Sequence, residues 1–148
     1  MVVGGTNTSF NTTKFALVEI MNKLEMMEKT QKELEDVVGK HNIVEEFHID
    51  KLPYLQAVMK ETLRLHPALP LLGHLQSTWP KGIRICARIA MAERMVMHSL
   101  ATLLHSFDWK LLEGEKLDIS KKFGIMLKKK IPLVSIPTSR LSDPALYE

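Results

Sequence analysis

The chain has 148 residues, 45% of them hydrophobic and 25% charged, with 7 Gly, 7 Pro and a single Cys. That is the length of one domain, enough to bury roughly two-thirds of the unfolded surface, and so ordinary a balance excludes wholesale disorder, collagen-like repeats and low complexity. The lone Cys86 rules out an intrachain disulfide framework and fits a reducing compartment, and the longest apolar stretch, residues 89–104, is interrupted by Glu93 and Arg94, so no spanning helix is expected.

The start, MVVGGTNTSF, has neither the basic nor the apolar region of a signal peptide. Net charge is +3, and its placement says more than its size. Residues 1–109 balance at 12 basic and 12 acidic groups, whereas residues 110–148 hold 8 basic and 5 acidic. Lys121, Lys122 and the run Lys128-Lys129-Lys130 supply most of the excess. With neither interleaved aromatics nor clustered Arg, this pattern fits a lysine-protected strand edge better than a nucleic-acid surface.

In chain order, Gly4-Gly5-Thr6-Asn7-Thr8-Ser9 reads as the opening of a first helix over 11–21, with hydroxyl and amide side chains capping its first N–H groups. Phe15, Val18 and Met21 form the helix's apolar stripe. A second helix spans 24–38 and stops at Gly39, a suitable left-handed terminator; Glu25–Lys29 and Glu28–Lys32 are i,i+4 pairs on its outer face. A connection follows, with a short helical turn near 45–48. Pro53 opens a third helix through Arg64 that must end before Pro67. Residues 68–73 are apolar and extended, and 77–88 form a loop holding Pro80, Gly82 and Cys86. The longest helical pattern covers 89–107, with Ala92, Met95, Ser99, Leu103 and Phe107 near one face. The rest alternates turns at Gly114, Gly124, Pro132 and Pro137 with β-prone runs at 124–130 and 133–136. The fold class is mainly α with a small C-terminal β element, in one domain over 1–148.

Three constellations could carry chemistry. Glu61 and Arg64 share a helix face at i,i+3 and can hold each other or a third charge. Cys86 precedes a long helix, where the macrodipole and open N–H groups stabilise a thiolate; as a metal ligand it would have Arg84 nearby for an anionic group, and otherwise it is a small buried hydrophobe. No second Cys and no His at ligand spacing favours zinc. Residues 4–9 offer either caps or a helix broken beside a ligand, and the absence of a following Gly-Lys-Ser/Thr argues against a phosphate cradle.

Taken in order, GGTNTS, ETLRLHP and a GxRxC loop running into AMAERM resemble the ordered signatures of the cytochrome P-450 haem-thiolate monooxygenases. KLPYLQAVMKETLRLHPALPLL is similar to the plant branch that includes geraniol-hydroxylase-like terpenoid oxidases, and the tail through LATLLHSFDWKL to IPLVSIP resembles the same branch. The resemblance implies a partial cytochrome P-450 fold: distal helix end, ExxR helix, Cys-ligand loop and the helix that follows. It implies haem with Cys86 as axial thiolate on the iron, Arg84 near a propionate, Gly82 in the ligand loop, and Glu61 and Arg64 buttressing the core. Thr8, with Asn7 before it, would lie in the kinked distal helix that handles protons for bound dioxygen. The implied reaction hydroxylates a small lipophilic, terpenoid-like metabolite, with electrons from NADPH arriving through a reductase.

Several positions depart from the family pattern. Asn7 stands where the family carries Asp or Glu, Trp79 where it has Phe, and Arg88 where it has Gly. Leu24 replaces a common helix-opening Pro, which leaves fusion of the first two helices open. Only about a dozen residues separate LHPALPLL from the ligand loop where the family has a long stretch, so an internal deletion is expected with its seam near 73–83. The family's N-terminal majority and membrane anchor are also missing by this reading; the family resides on the cytosolic face of the endoplasmic reticulum, and this chain would be cytoplasmic. The competing reading is a non-catalytic truncated fragment, or a helical interaction or haem-binding protein without oxygenase activity.

Overall fold

A computed structural model describes residues 2–67, 89–111, 119–122 and 128–141. Helix α1 (Val2–Asn22) is the axis of the structure. Phe15, Ala16, Leu17, Val18 and Ile20 are all buried, on more than one face, and the helix packs against each of the other long helices. It starts well before residue 11. Gly4 to Ser9 lie within the helix instead of capping it, and the helix runs unbroken from Val2 to Asn22. The hydroxyls are used inside it: Thr12 Oγ1 donates to the Thr8 carbonyl and Thr13 Oγ1 to the Ser9 carbonyl, both at 3.0 Å. Such back-bonding lets Thr sit in a helix interior that its capping preference argues against.

Helices α1 and α2 (Leu24–Val38) do not fuse. Lys23 between them is extended, at φ −129° and ψ 99°, and its carbonyl accepts the first N–H bonds of α2 from Met26 and Met27. The buried stripe of α2 is Thr30, Leu34 and Val38, an i,i+4,i+8 row. Gly39 ends the helix at φ 85°, ψ 158°, an extended region at positive φ used almost only by glycine, where a left-handed αL conformation was the expectation.

A 3₁₀ turn (Glu46–Lys51) follows, closed by a capping box in which the Glu45 N–H donates to His48 Nδ1 at 3.0 Å. Pro53 occupies the first turn of α3 (Pro53–Leu65), where its fixed φ is helical and its missing N–H does no harm. Leu55, Val58, Met59 and Thr62 face the core. The His66 N–H closes on the Thr62 carbonyl at 2.7 Å, immediately before Pro67.

Helix α4 (Ile89–Ser106) turns a different face inward from the one its sequence suggests. Val96, Met97, Leu100, Ala101 and Leu104 are buried, while Met95 is 54% exposed and Ser99 points outward, its Oγ bonding the Met95 carbonyl at 2.8 Å. The helix is apolar on two stripes, so periodicity alone does not choose between them. Contact with α1 selects the aliphatic row at 96, 100 and 104.

Phe107 belongs to no helix. It opens strand β1 (Phe107–Leu111), which pairs antiparallel with β4 (Ser135–Ser139) from Phe107↔Ser139 to Leu111↔Ser135. Pro137 lies inside β4, opposite Trp109, where a turn was expected; in a two-stranded ribbon each strand is an edge and tolerates a missing donor. Strands β2 (Lys121–Lys122) and β3 (Lys128–Lys129) form a second short ribbon. One core cluster joins α1, α2, α3 and α4, with Ile49 and Leu52 sealing the turn before α3.

Candidate functional site

The sequence-predicted pair on α3 is formed. Arg64 donates from Nε to Glu61 Oε2 at 2.7 Å and from Nη2 to Oε1 at 2.6 Å, a fork-to-fork contact that fixes both planes. The Arg64 hydrogen bonds hold the Glu61 carboxyl below the usual carboxylate range, with a smaller contribution from the charge of Lys23. The guanidinium is in turn raised by Glu61. Both side chains face solvent, at 67% and 52% exposure, so the pair orients charge and adds little to stability.

What positions this pair was not visible in the sequence. Glu33 of α2 reaches across 21 residues to accept the Tyr54 N–H at 2.7 Å and, with its other oxygen, the Leu55 N–H at 2.9 Å. A carboxylate from another helix thus caps the positive end of α3, where no local cap is present. At the other end His66 is buried, with Nε2 2.8 Å from Glu19 Oε1 and its ring stacked on Phe15 at 4.4 Å and 7°. Lys121 Nζ donates to the Leu65 carbonyl at 2.9 Å, a cation at a helix C-terminus. The helix carrying Glu61 and Arg64 is therefore tied to α1, α2 and β2. His66 could be suspected from its place between Leu65 and Pro67; nothing in the sequence pairs it with Glu19, 47 residues away.

Asn7 and Thr8 are partly exposed on the first third of α1, and the Thr8 carbonyl is engaged by Thr12. Cys86, Arg84 and Gly82, with Trp79, Arg88 and the predicted segments 68–73 and 77–88, lie outside the described residues. Among the described residues no group of three or more His, Cys, Asp or Glu side chains could hold a metal ion. These residues thus supply a frame, the paired α3 helix and the α1 helix beside it, while the thiolate that the resemblance assigns to haem lies elsewhere in the chain.

The helix order and packing define a class. The fold superposes on solved cytochrome P450 structures: a zebrafish cytochrome P450 crystallised with abiraterone (TM-score 0.79, 18% identity, 93% of this chain and 45% of that one) and the cytochrome P450 CYP102L1 (TM-score 0.77, 19% identity, 93% and 44%). It is a partial cytochrome P450 fold, mainly helical with a small sheet.

Residues 1–78 match the cytochrome P450 family model, and the chain belongs to that family. Among curated relatives it is similar to flavonoid 3′,5′-hydroxylase CYP75B138 of Crocosmia x crocosmiiflora (32% identity, 98% of this chain, 40% of the relative). It is similar too to cytochrome P450 76C1 of Arabidopsis thaliana (33%, 97% and 40%) and carnosic acid synthase of Salvia pomifera (34%, 93% and 39%). The chain spans about 40% of the length of these relatives. The match to the Crocosmia hydroxylase extends over 209 aligned positions, more than the whole chain contains, so that relative carries internal residues for which this chain has no counterpart. Members of the family are haem-thiolate iron monooxygenases whose electrons come from NADPH through a reductase.

Proposed function

We propose that this chain is the ExxR-helix and ligand-loop portion of a plant haem-dependent monooxygenase that hydroxylates a small lipophilic metabolite, terpenoid- or flavonoid-like, with reductase-supplied electrons. The observation that carries the reading is the bidentate Glu61–Arg64 pair on a helix tied at both ends, in a chain of this family. Cys86 is the proposed axial thiolate, Arg84 the partner of a haem propionate, and Gly82 part of the ligand loop. When bound, the haem supplies the oxygen-activating iron centre, with electron density pushed onto it by the thiolate.

The chain's own residues have narrower tasks. Glu61 and Arg64 hold a fixed charge pair on the solvent-facing side of α3, and Glu33, Glu19 and His66 keep that helix in register. Thr8 offers a hydroxyl on α1 for passing protons toward the distal side. Asn7 beside it has an amide that donates and accepts hydrogen bonds but does not ionise, so proton relay through that position is slower than with a carboxylate.

A second reading is supported by two observations. Leu63 and Leu65 stand 39% and 40% exposed beside the solvent-facing Arg64, and the alignment to relatives is longer than the chain. Both fit a chain that lacks the internal segment, with its seam near 73–83, that would cover this face, and that does not catalyse alone. The test is haem titration of the purified chain, followed by absorbance. Stoichiometric uptake that is lost in Cys86→Ser supports the first reading; no saturable uptake overturns it and leaves the second.

A further inference from the structure

The chain passes from α2 to α3 through the 3₁₀ turn Glu46–Lys51, which shares no residue with the site above. The capping box that closes this turn has an unusual member. The Glu45 carboxylate accepts the His48 N–H, and the Glu45 N–H donates back to His48 Nδ1 at 3.0 Å. The third position of such a box ordinarily carries Glu or Gln, whose side-chain oxygen goes on accepting throughout the neutral range. An imidazole nitrogen accepts only while it keeps its lone pair. The bond therefore fixes the ring as neutral, with its proton on Nε2.

The ring sits where loss of that bond has consequences. His48 is 8% exposed, with Phe47 packed on it at 4.0 Å between ring centroids, and Ile49 beside it is buried in the core. The Ile49 carbonyl accepts the Leu52 N–H at 3.3 Å and Gln56 Nε2 at 3.2 Å, which joins the turn to the start of α3. From α4, Arg94 donates to Glu46 at 3.0 Å and lies 4.0 Å from Asp50. Lys51 stands over the Phe47 ring at 5.5 Å. Helix α2 also packs on the turn, and among the described residues none of its charged side chains is ion-paired or hydrogen-bonded to residues 45–51. The charged groups about the ring are thus Glu45, Glu46 and Asp50 with Arg94 and Lys51, a set with no net positive charge to repel a second proton.

We propose that His48 is a pH-sensitive latch on the α2–α3 connection, closing the 3₁₀ turn as the neutral ring and releasing it as the imidazolium. A proton on Nδ1 turns the acceptor into a donor, so that two N–H groups face each other across the box. Either the Glu45 backbone withdraws or the ring swings out from under Phe47, and both end the box. Closure is favoured above the ordinary imidazole value of about 6.5 and is lost as pH falls through the imidazole range. Release loosens the segment through which Arg94 ties α4 to the approach of α3.

The test is amide hydrogen exchange and ¹⁵N NMR on the full chain at about pH 7.5 and about pH 5.5, on either side of the ordinary imidazole value. Exchange is read as protection relative to free peptide at the same pH. The Leu55 N–H is the internal control, because the Glu33 carboxylate that holds it stays ionised over this range. The expected result is an unprotonated His48 Nδ1 at the higher pH. At the lower pH, protection of the Glu45 amide falls about tenfold further than that of Leu55, the loss of one cap. His48→Gln supplies an acceptor that does not titrate and should abolish the difference, whereas His48→Leu should leave the Glu45 amide unprotected at both pH values. Four results would each overturn the proposal: a protonated Nδ1 or an unprotected Glu45 amide at the higher pH, parallel changes at Glu45 and Leu55, the parent's pH response persisting in His48→Gln, or a protected Glu45 amide in His48→Leu.

Discussion

Glu61 and Arg64 could be read as partners from spacing alone, because i,i+3 on a helix is a local rule and the structure obeys it. His66 and Glu19 could not, because the contact depends on how α3 returns along α1. That buried pair is where single-residue sensitivity is expected. In Glu19→Ala, His66 Nε2 loses its partner inside the core while Nδ1 has none among the described residues, and urea unfolding is expected to show about 2 kcal/mol less stability. Glu61→Ala removes only an exposed pair and should leave the unfolding midpoint nearly unchanged. His105 gives a pH signature. Its folded-state ring is shifted down by burial, so the unfolded chain binds the proton more readily. Its favourable contribution is present above the unfolded value of about 6.5 and is lost as pH falls through the folded one. Thermal unfolding between pH 7 and 5 should show that loss, and His105→Gln should flatten it.

Helices α2 and α3 and the 3₁₀ turn were legible because their signals are local: Pro53 and Gly39 punctuate the chain, and the apolar rows repeat at helical spacing. The start of α1 and the end of α4 were not. The first turns of α1 carry Gly and capping residues that read as a start, yet the helix runs back to Val2. In α4 two apolar stripes compete, and only the position of α1 decides between Met95 and Val96. Strand β1 is hidden because Phe107 continues the apolar pattern of α4, and its partner β4 carries a proline. The cap on α3 makes a prediction at this scale. Glu33→Ala frees the Tyr54 and Leu55 N–H groups and should lower stability by about 1–2 kcal/mol, read by denaturant unfolding, with Glu33→Gln intermediate. Gly39→Ala should lose about 1 kcal/mol or more, because φ of 85° strains any side-chain-bearing residue.

For the whole molecule, the core is that of a partial cytochrome P450 fold in which α1, α2, α3 and α4 share one apolar cluster. Leu100 and Leu104 on α4 are fully buried in it, and Leu100→Ala should remove about 2–5 kcal/mol by opening a cavity, enough to unfold a marginal domain. Arg64, Leu63 and Leu65 near the end of α3 are exposed to solvent, and the Crocosmia relative carries internal residues for which this chain has no counterpart. Composition placed the chain as one ordinary domain with an inconspicuous cysteine; only the ordered motifs gave Cys86 a role, and they lie partly outside the described residues. Whether the chain is a haem-thiolate protein therefore turns on one spectrum. The chain is loaded with haem, reduced and exposed to carbon monoxide, beside Cys86→Ser. A long-wavelength Soret band of the thiolate type, absent from the variant, is the predicted result; the same band in both proteins, or none in either, would contradict the account.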